Sequence, residues 1–379
     1  MWKTRMTWTG CVIVTLVGGC SPSHTLRQGP DDGSCPARYV GSPSAGQTDA
    51  EARNVLTWSG SAETSDIEKN DLWCRTVGRS VFRAPGLRLD EADRVDSLAI
   101  LTWNINLGGG DVVAFLAEEL GFTCDPDEQG DGRGDQRADR EPPFHFVLLL
   151  QEVYHLSPTL PEVPPGPTIP WRIDAEPPPG GLRDIVGVAE RCRLALLYVP
   201  SARNGHSEPG RQPEDKGNAI LSTLPLADLA AIELPFEASR KVAVVATVRG
   251  PGGERIRVAS VHLELSSTLI RTLISGNATR LRQAMGLAEA LEATESTVTI
   301  VGGDFNTWSA TEATLKRLAL NFPDSPPWDG RPTRGPFPTD HILFRTVQGS
   351  EIDLVEDSYR RFEETYGSDH AGRIVWLRD

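Results

Sequence analysis

Val301-Gly302-Gly303-Asp304-Phe305-Asn306 is the stretch on which the reading of this chain turns. Before it runs Thr297-Val298-Thr299-Ile300-Val301, rich in β-branched residues, which predicts a buried strand. Gly302 and Gly303 are expected to let the backbone turn tightly and to leave room close to the strand end. Asp304 and Asn306 lie two apart, so in an extended segment both side chains point to one side. A helix is expected next, with Ser309 as N-cap and Glu312 as its capping-box partner. Taken alone, the stretch reads better as an Asx-turn between strand and helix, and the rest of the chain is what overturns that reading.

Working outward, other apolar strands end in the same way. Ser97 to Asn104 closes on an amide, and Phe146 to Glu152 on a carboxylate. Strands at Leu194–Val199, Ala219–Ser222, Val242–Val248 and Ile256–His262 follow, the last closing on an imidazole. Asp340 precedes an apolar run, and Asp369-His370 precedes the last strand. Each such residue has a bland reading as a cap, a turn or a satisfied core group. A set of them predicts one site assembled from neighbouring strand ends. Carboxylate and amide oxygens suit a hard divalent cation, Mg²⁺ with Mn²⁺ as the alternative, and histidines beside carboxylates suit proton transfer. No GxSxG, GxxxxGK[ST], HExxH or GxGxxG after a strand competes.

In this order, the pieces Leu101-Thr102-Trp103-Asn104, Leu150-Gln151-Glu152-Val153, Lys216-Gly217-Asn218-Ala219-Ile220-Leu221-Ser222, Ser260-Val261-His262-Leu263, Gly303-Asp304-Phe305-Asn306, Asp340-His341 and Ser368-Asp369-His370 resemble the endonuclease/exonuclease/phosphatase superfamily, the DNase I-like proteins. The resemblance implies an α/β fold: a four-layer α/β sandwich, two mixed sheets packed face to face with helices outside. It implies that Glu152, with Asn104 and Asp369, holds Mg²⁺ on a phosphate oxygen. His370, oriented by Asp340, would act with Asp304 on the attacking water, either of them serving as base. His262 would donate to the phosphate or the leaving oxygen, Asn306 would hold the phosphate, and Asn218 would shape the edge of the site. Arg240 and Arg280 are assigned to the surface.

The remaining sequence sets bounds. At 379 residues the chain can bury a substantial core. Residues 1–19 read as a signal: a cationic start, then an apolar run too short to span a bilayer. The run ends Val17-Gly18-Gly19-Cys20, which resembles a bacterial lipobox with Cys20 as the lipidated residue. Ser21 after it resembles the pattern of outer-membrane retention. Residues 20–50 are expected to form a flexible tether, 51–96 an N-terminal extension, and 97–379 the catalytic domain. The net charge of −14 disfavours broad nucleic-acid binding without excluding a local basic groove. Cys35, Cys74, Cys124 and Cys192 predict two disulfides, with proximity favouring Cys35–Cys74 and Cys124–Cys192. The proline-rich Ser157 to Gly181 is expected to loop beside Glu152, where it would select substrate.

These features predict an exported, lipid-anchored, monomeric, Mg²⁺-dependent phosphoesterase, foremost a nuclease-like phosphodiesterase. The alternatives are a phospholipid or sphingomyelin phosphodiesterase, a sugar or inositol phosphate phosphatase, and a non-enzymatic surface lipoprotein using the fold as a binding scaffold.

Overall fold

The computed structural model describes residues 26–29, 56–61, 63–74, 77–86, 95–124, 145–157, 160, 182–203, 214–265, 277–292, 296–309, 311–347, 350–355 and 357–379. Residues 1–20, Cys35, expected to pair with Cys74, and most of the proline-rich 157–181 segment lie outside them.

Two mixed sheets carry the architecture. The first is ordered β1 (Leu26–Gly29), β2 (Thr57–Ser61), β8 (Ala227–Glu233), β9 (Val242–Arg249), β10 (Arg255–His262), β11 (Val298–Asp304) and β12 (Asp340–Thr346). The second is ordered β13 (Asp353–Leu354), β15 (Arg373–Arg378), β4 (Ser97–Asn104), β5 (His145–Leu156), β7 (Glu214–Ser222), β6 (Ala195–Arg203) and β3 (Val81–Arg83), with β14 (Arg360–Arg361) against β15. Because β2 and β3 pair into different sheets, the 51–96 segment contributes strands to both. Leu26–Gly29, inside the stretch read as a tether, is an edge strand paired with β2.

Leu98, Ile100, Leu149 and Ile220 of one sheet meet Val244, Val258, Ile300 and Phe344 of the other in the central core. Strands covered on both faces read as continuous apolar runs, which explains why β4, β5 and β11 lack alternation. Outside the second sheet, α2 (Val112–Leu120) and α3 (Ile185–Arg191) bury Phe115, Leu116 and Val188. Outside the first, α4 (Asn277–Glu292) and α5 (Ala313–Asn321) bury Leu287, Leu291 and Leu318. The result is a helix–sheet–sheet–helix sandwich. Cys124 and Cys192 form a disulfide between the ends of α2 and α3, closing a 68-residue span. Such a link stabilises a fold by about 2–4 kcal/mol, chiefly by restricting the unfolded chain. Cys74 is also disulfide-bonded, to a partner outside the described residues.

Three expectations change. Gly302 and Gly303 sit inside β11, not in a turn. A side chain on Gly302 would come within 2.7 Å of Leu149 Cδ1 on the opposite sheet, and one on Gly303 would strike the Val261 carbonyl. Their smallness serves close sheet packing just below the site. The following helix starts at Ala313 with Glu312 as N-cap, three residues later than Ser309. The Glu312 carboxylate is diverted instead, accepting from the Trp308 backbone N–H and pairing with Arg280 at 2.7 Å. Arg240 and Arg280 are buried, not on the surface, and pair with Glu233 and Glu312 respectively at 2.7 Å. A buried guanidinium is tolerated where such a partner compensates its lost hydration.

Candidate active site

Strand pairing explains why distant residues meet. β10 and β11 run parallel, with His262 opposite Asp304 in register. β12 runs back from the same end, with Asp340 opposite Asp304. On the facing sheet, β4 ends at Asn104, and parallel to it β5 carries Glu152 in a bulge between Leu150 and Val153 before running on to Leu156. β15 begins beside the end of β4, which sets His370 there.

The side chains form one connected cluster. The Asn104 amide donates to Asp304 Oδ2 at 2.9 Å, bridging the two sheets. The Asn306 backbone N–H donates to Asp304 Oδ1 at 2.8 Å, and its side-chain amide to the Leu263 carbonyl at 2.9 Å. His370 Nδ1 is 2.8 Å from Asp340 Oδ2, which also accepts from Thr339 Oγ1 at 2.8 Å. His370 Nε2 lies 3.8 Å from Asp304 Oδ2. His262 stands between the carboxylates, its Nε2 3.6 Å from Asp304 and its Nδ1 3.8 Å from Glu152. These last three separations exceed hydrogen-bond length, leaving Asp304, Glu152 and both rings able to address a ligand between them. Glu152 is held in place at φ +57° in the strand bulge, accepting from the Leu107 N–H at 3.1 Å and lying 3.5 Å from Lys216.

Two predicted residues stand differently. Asp369 lies at the rim, 3.7 Å from His370 and paired with Arg334 at 2.8 Å. Asn218 is buried at the cluster's edge, its amide donating to the Val242 carbonyl at 2.7 Å and tying the two sheets together. Sequence reasoning missed the supports. Ser368 donates to the Asn104 carbonyl and accepts from the His370 N–H, and Trp103 Nε1 donates to the His370 carbonyl. Buried Gln151 donates to Ser260 across the sheets beneath Glu152. The Trp103-Asn104, Gln151-Glu152 and Ser368-Asp369-His370 segments held that signal, since each of these supports lies within two residues of a site residue.

Electrostatics separate the groups. Burial, and then the nearby Asp340 charge, push Asp304 up to about 6, against His370 and the Asn306 and Asn104 donors. For Asp340, burial is outweighed by His370 and the Thr333 and Thr339 hydroxyls, and its carboxyl stays below the usual range. Burial also opposes charge on His370, yet Asp340, then Asp304 and Asp369, raise it to about 9. Burial first, then Lys241 and Lys216, hold His262 well below the usual imidazole range, so it is neutral. Despite burial, Lys216 and Lys241 keep Glu152 ionised. Near neutral pH the cluster therefore pairs an imidazolium with an ionised Asp304.

The residues fit a divalent cation. Asp304, Asp340 and His370 offer ligand atoms within 4.8 Å of one another. Asp340 Oδ1 and Asn306 Oδ1 are buried oxygens without a hydrogen-bond partner, an arrangement rare unless something further satisfies it.

Strand-end carboxylates, an Asp-held histidine and a cation-binding oxygen set on a two-sheet sandwich define a metal-dependent hydrolase of phosphate esters. The chain belongs to the Endonuclease/Exonuclease/phosphatase family, whose model matches residues 101–370. No curated protein matches it. Among solved structures it is similar to an endonuclease/exonuclease/phosphatase from Beutenbergia cavernae (18% identity, 75% of this chain and 72% of that one, TM-score 0.46). It is also similar to the human Nocturnin catalytic domain with bound sulfate (18%, 78% and 99%, 0.45) and to sphingomyelinase C from Streptomyces griseocarneus (16%, 74% and 99%, 0.39).

Proposed function

We propose that the protein is an exported, lipid-anchored phosphodiesterase of nuclease type, hydrolysing a P–O bond by in-line attack of water. The observation that carries the chemistry is Asp304, fixed by Asn104 and Asn306 and facing an imidazolium that Asp340 holds.

Asp304 is the base. The proton on His370 is retained by Asp340, so His370 serves to hold charge and not to abstract a proton. In the reaction Asp304 takes the proton of the attacking water, and His370 Nε2–H faces the charge that develops at phosphorus. Neutral His262 donates one N–H to the phosphate or the leaving oxygen, and the second amide hydrogen of Asn306 is available to a phosphate oxygen. Glu152 and Asn104 hold the cation in this reading, and Asp369 joins them only by releasing Arg334. Mg²⁺ there would act as a Lewis acid on a phosphoryl oxygen. A proton and a cation compete for His370, which favours Glu152 as the main anchor.

The pH profile follows. Activity rises as Asp304 ionises through about 6 and falls as His370 loses its proton through about 9. A rate that climbs steadily past pH 10 in a kcat/KM profile would contradict this assignment.

The test of the class is a panel of DNA, RNA, sphingomyelin, inositol phosphates and bis-p-nitrophenyl phosphate, each with Mg²⁺, Mn²⁺ or EDTA. Diester hydrolysis abolished by EDTA is expected; hydrolysis untouched by EDTA, or of monoesters alone, counts against it. The anchor rests on Val17-Gly18-Gly19-Cys20. Cys20→Ala is expected to move the protein from the membrane to the soluble fraction, because stable attachment needs the acyl chains. A wild-type protein without lipid by mass spectrometry would refute it. Among the described residues no helix is long and apolar enough to cross a membrane.

A further inference from the structure

Arginines gather at the end of the first sheet that lies away from the active site. Strand register sets them in two rows on its outer face. Arg257 of β10 stands between Thr247 of β9 and Thr299 of β11, with Arg345 of β12 beyond Thr299. Two residues back along β10, and so on the same face, Arg255 is opposite Arg249. His262 comes five residues after Arg257 on β10, roughly 16 Å away at ~3.3 Å per residue, and on the other face of the strand.

The charges in these rows do not balance. Asp228, at φ +46° in the β8 bulge, pairs with Arg255 at 2.6 Å. Arg345 donates to the Leu291 carbonyl at 3.4 Å and lies over the Phe322 ring at 5.4 Å. Arg249 is exposed, Arg257 is 9% exposed, and neither makes an ion pair among the described residues. The Arg257 Nε is a buried donor without a hydrogen-bond partner. Burial holds its guanidinium below the usual arginine range, with Asp228 opposing the shift and the Arg255 charge reinforcing it. The buried Arg240 and Arg280, by contrast, each have a carboxylate at 2.7 Å. A buried guanidinium left without such a partner is an uncompensated charge.

Next to the rows runs a groove of about 610 Å³, walled by Arg249, Glu254, Arg255, Ser296, Thr297 and Val347. Thr297 Oγ1 donates to the Arg255 carbonyl at 3.0 Å, which ties two of these walls together. Glu254 makes no ion pair among the described residues, so Asp228 alone neutralises any of the three arginines. Guanidinium forks match the paired oxygens of a phosphate, and a tetrahedral anion offers oxygens in several directions at once.

We propose that this end of the sheet is a second anion site, which takes a phosphate group between Arg249 and Arg255 with Arg257 supplying charge from the row beneath. The site lies outside the catalytic cleft and does not depend on the phosphoesterase reading. A dissolved phosphate and the phosphate monoester headgroup of a lipid share the required chemistry.

The test follows the Nε–Hε resonance of Arg257 by NMR in the ¹⁵N-arginine-labelled protein, in EDTA, with the peak assigned from its loss in Arg257→Lys. Sodium phosphate is expected to shift it saturably, and sodium chloride at equal ionic strength is not. Arg249→Ala, at an exposed position, should weaken that binding about tenfold, as loss of a charge-assisted hydrogen bond does. Dihexanoyl-phosphatidic acid identifies the source: binding at least about tenfold tighter than inorganic phosphate marks a lipid headgroup, and equal or weaker binding marks a dissolved anion. Thermal melting supplies a second readout, since an anion bound only by the folded state raises Tm. The phosphate-dependent rise should shrink in Arg257→Met. The absence of a saturable shift with either probe overturns the proposal, as does an unchanged affinity in Arg249→Ala. An undiminished phosphate-dependent rise in Tm of a folded Arg257→Met protein overturns it too.

Discussion

Asp304→Asn and His370→Ala are each expected to lose about 10²–10⁴-fold in kcat on a diester substrate, with no recovery on adding Mg²⁺. Asparagine at 304 keeps the shape but only one of the two accepted hydrogen bonds, from Asn104 or from the Asn306 N–H, and it cannot accept a proton from water. Alanine at 370 removes the imidazolium facing Asp304 at 3.8 Å. Asp340→Asn should follow His370→Ala more weakly. It leaves the ring in place but removes the carboxylate that accepts from Nδ1 at 2.8 Å and keeps it charged. The Asp340/His370 double variant should lose little more than His370→Ala alone, because the two act as one unit. A loss below about tenfold in steady-state kinetics would remove the residue from the mechanism.

Glu152→Gln should behave in the opposite way toward metal. Its loss, at least about 10–100-fold at low Mg²⁺, should be partly restored by excess cation, because a neutral amide weakens affinity without removing the base or the imidazolium. The substitution also strips Lys216 of its carboxylate partner at 3.5 Å, adding repulsion toward an incoming cation. Mg²⁺ titrations of kcat for both variants decide the division of roles. Rescue of Asp304→Asn with none for Glu152→Gln would mean that the roles are reversed.

Much of this site is legible in the sequence because strand ends carry it. Asn104, His262, Asp304 and Asp340 each sit on the last or first residue of a regular strand, and parallel or antiparallel register then brings them together. Glu152 reads as the polar end of a strand, but β5 runs on to Leu156 and Glu152 sits at positive φ in its bulge, which depends on pairing with β7 and leaves no local pattern. β8 was missed because its polar, alanine-rich start, Ala227-Asp228-Leu229, carries no clear strand period. The placement of helix α1 (Thr64–Cys74) was invisible for a different reason. Its alternation is weak, with Asp66 and Asn70 buried, and its position depends on Arg282, which lies more than 200 residues away along the chain. Arg240 and Arg280 were misread because no composition rule distinguishes a solvated arginine from one that a distant carboxylate neutralises.

The stereochemical course at phosphorus tests the central claim most directly. A chiral phosphorothioate diester hydrolysed in ¹⁸O-labelled water with Mg²⁺ should give product with inverted configuration and the label on phosphorus, as a single in-line attack by water activated at Asp304 requires. Retention of configuration would mean a covalent phosphoryl-enzyme intermediate, with Asp304 or a histidine as nucleophile, and would contradict the account.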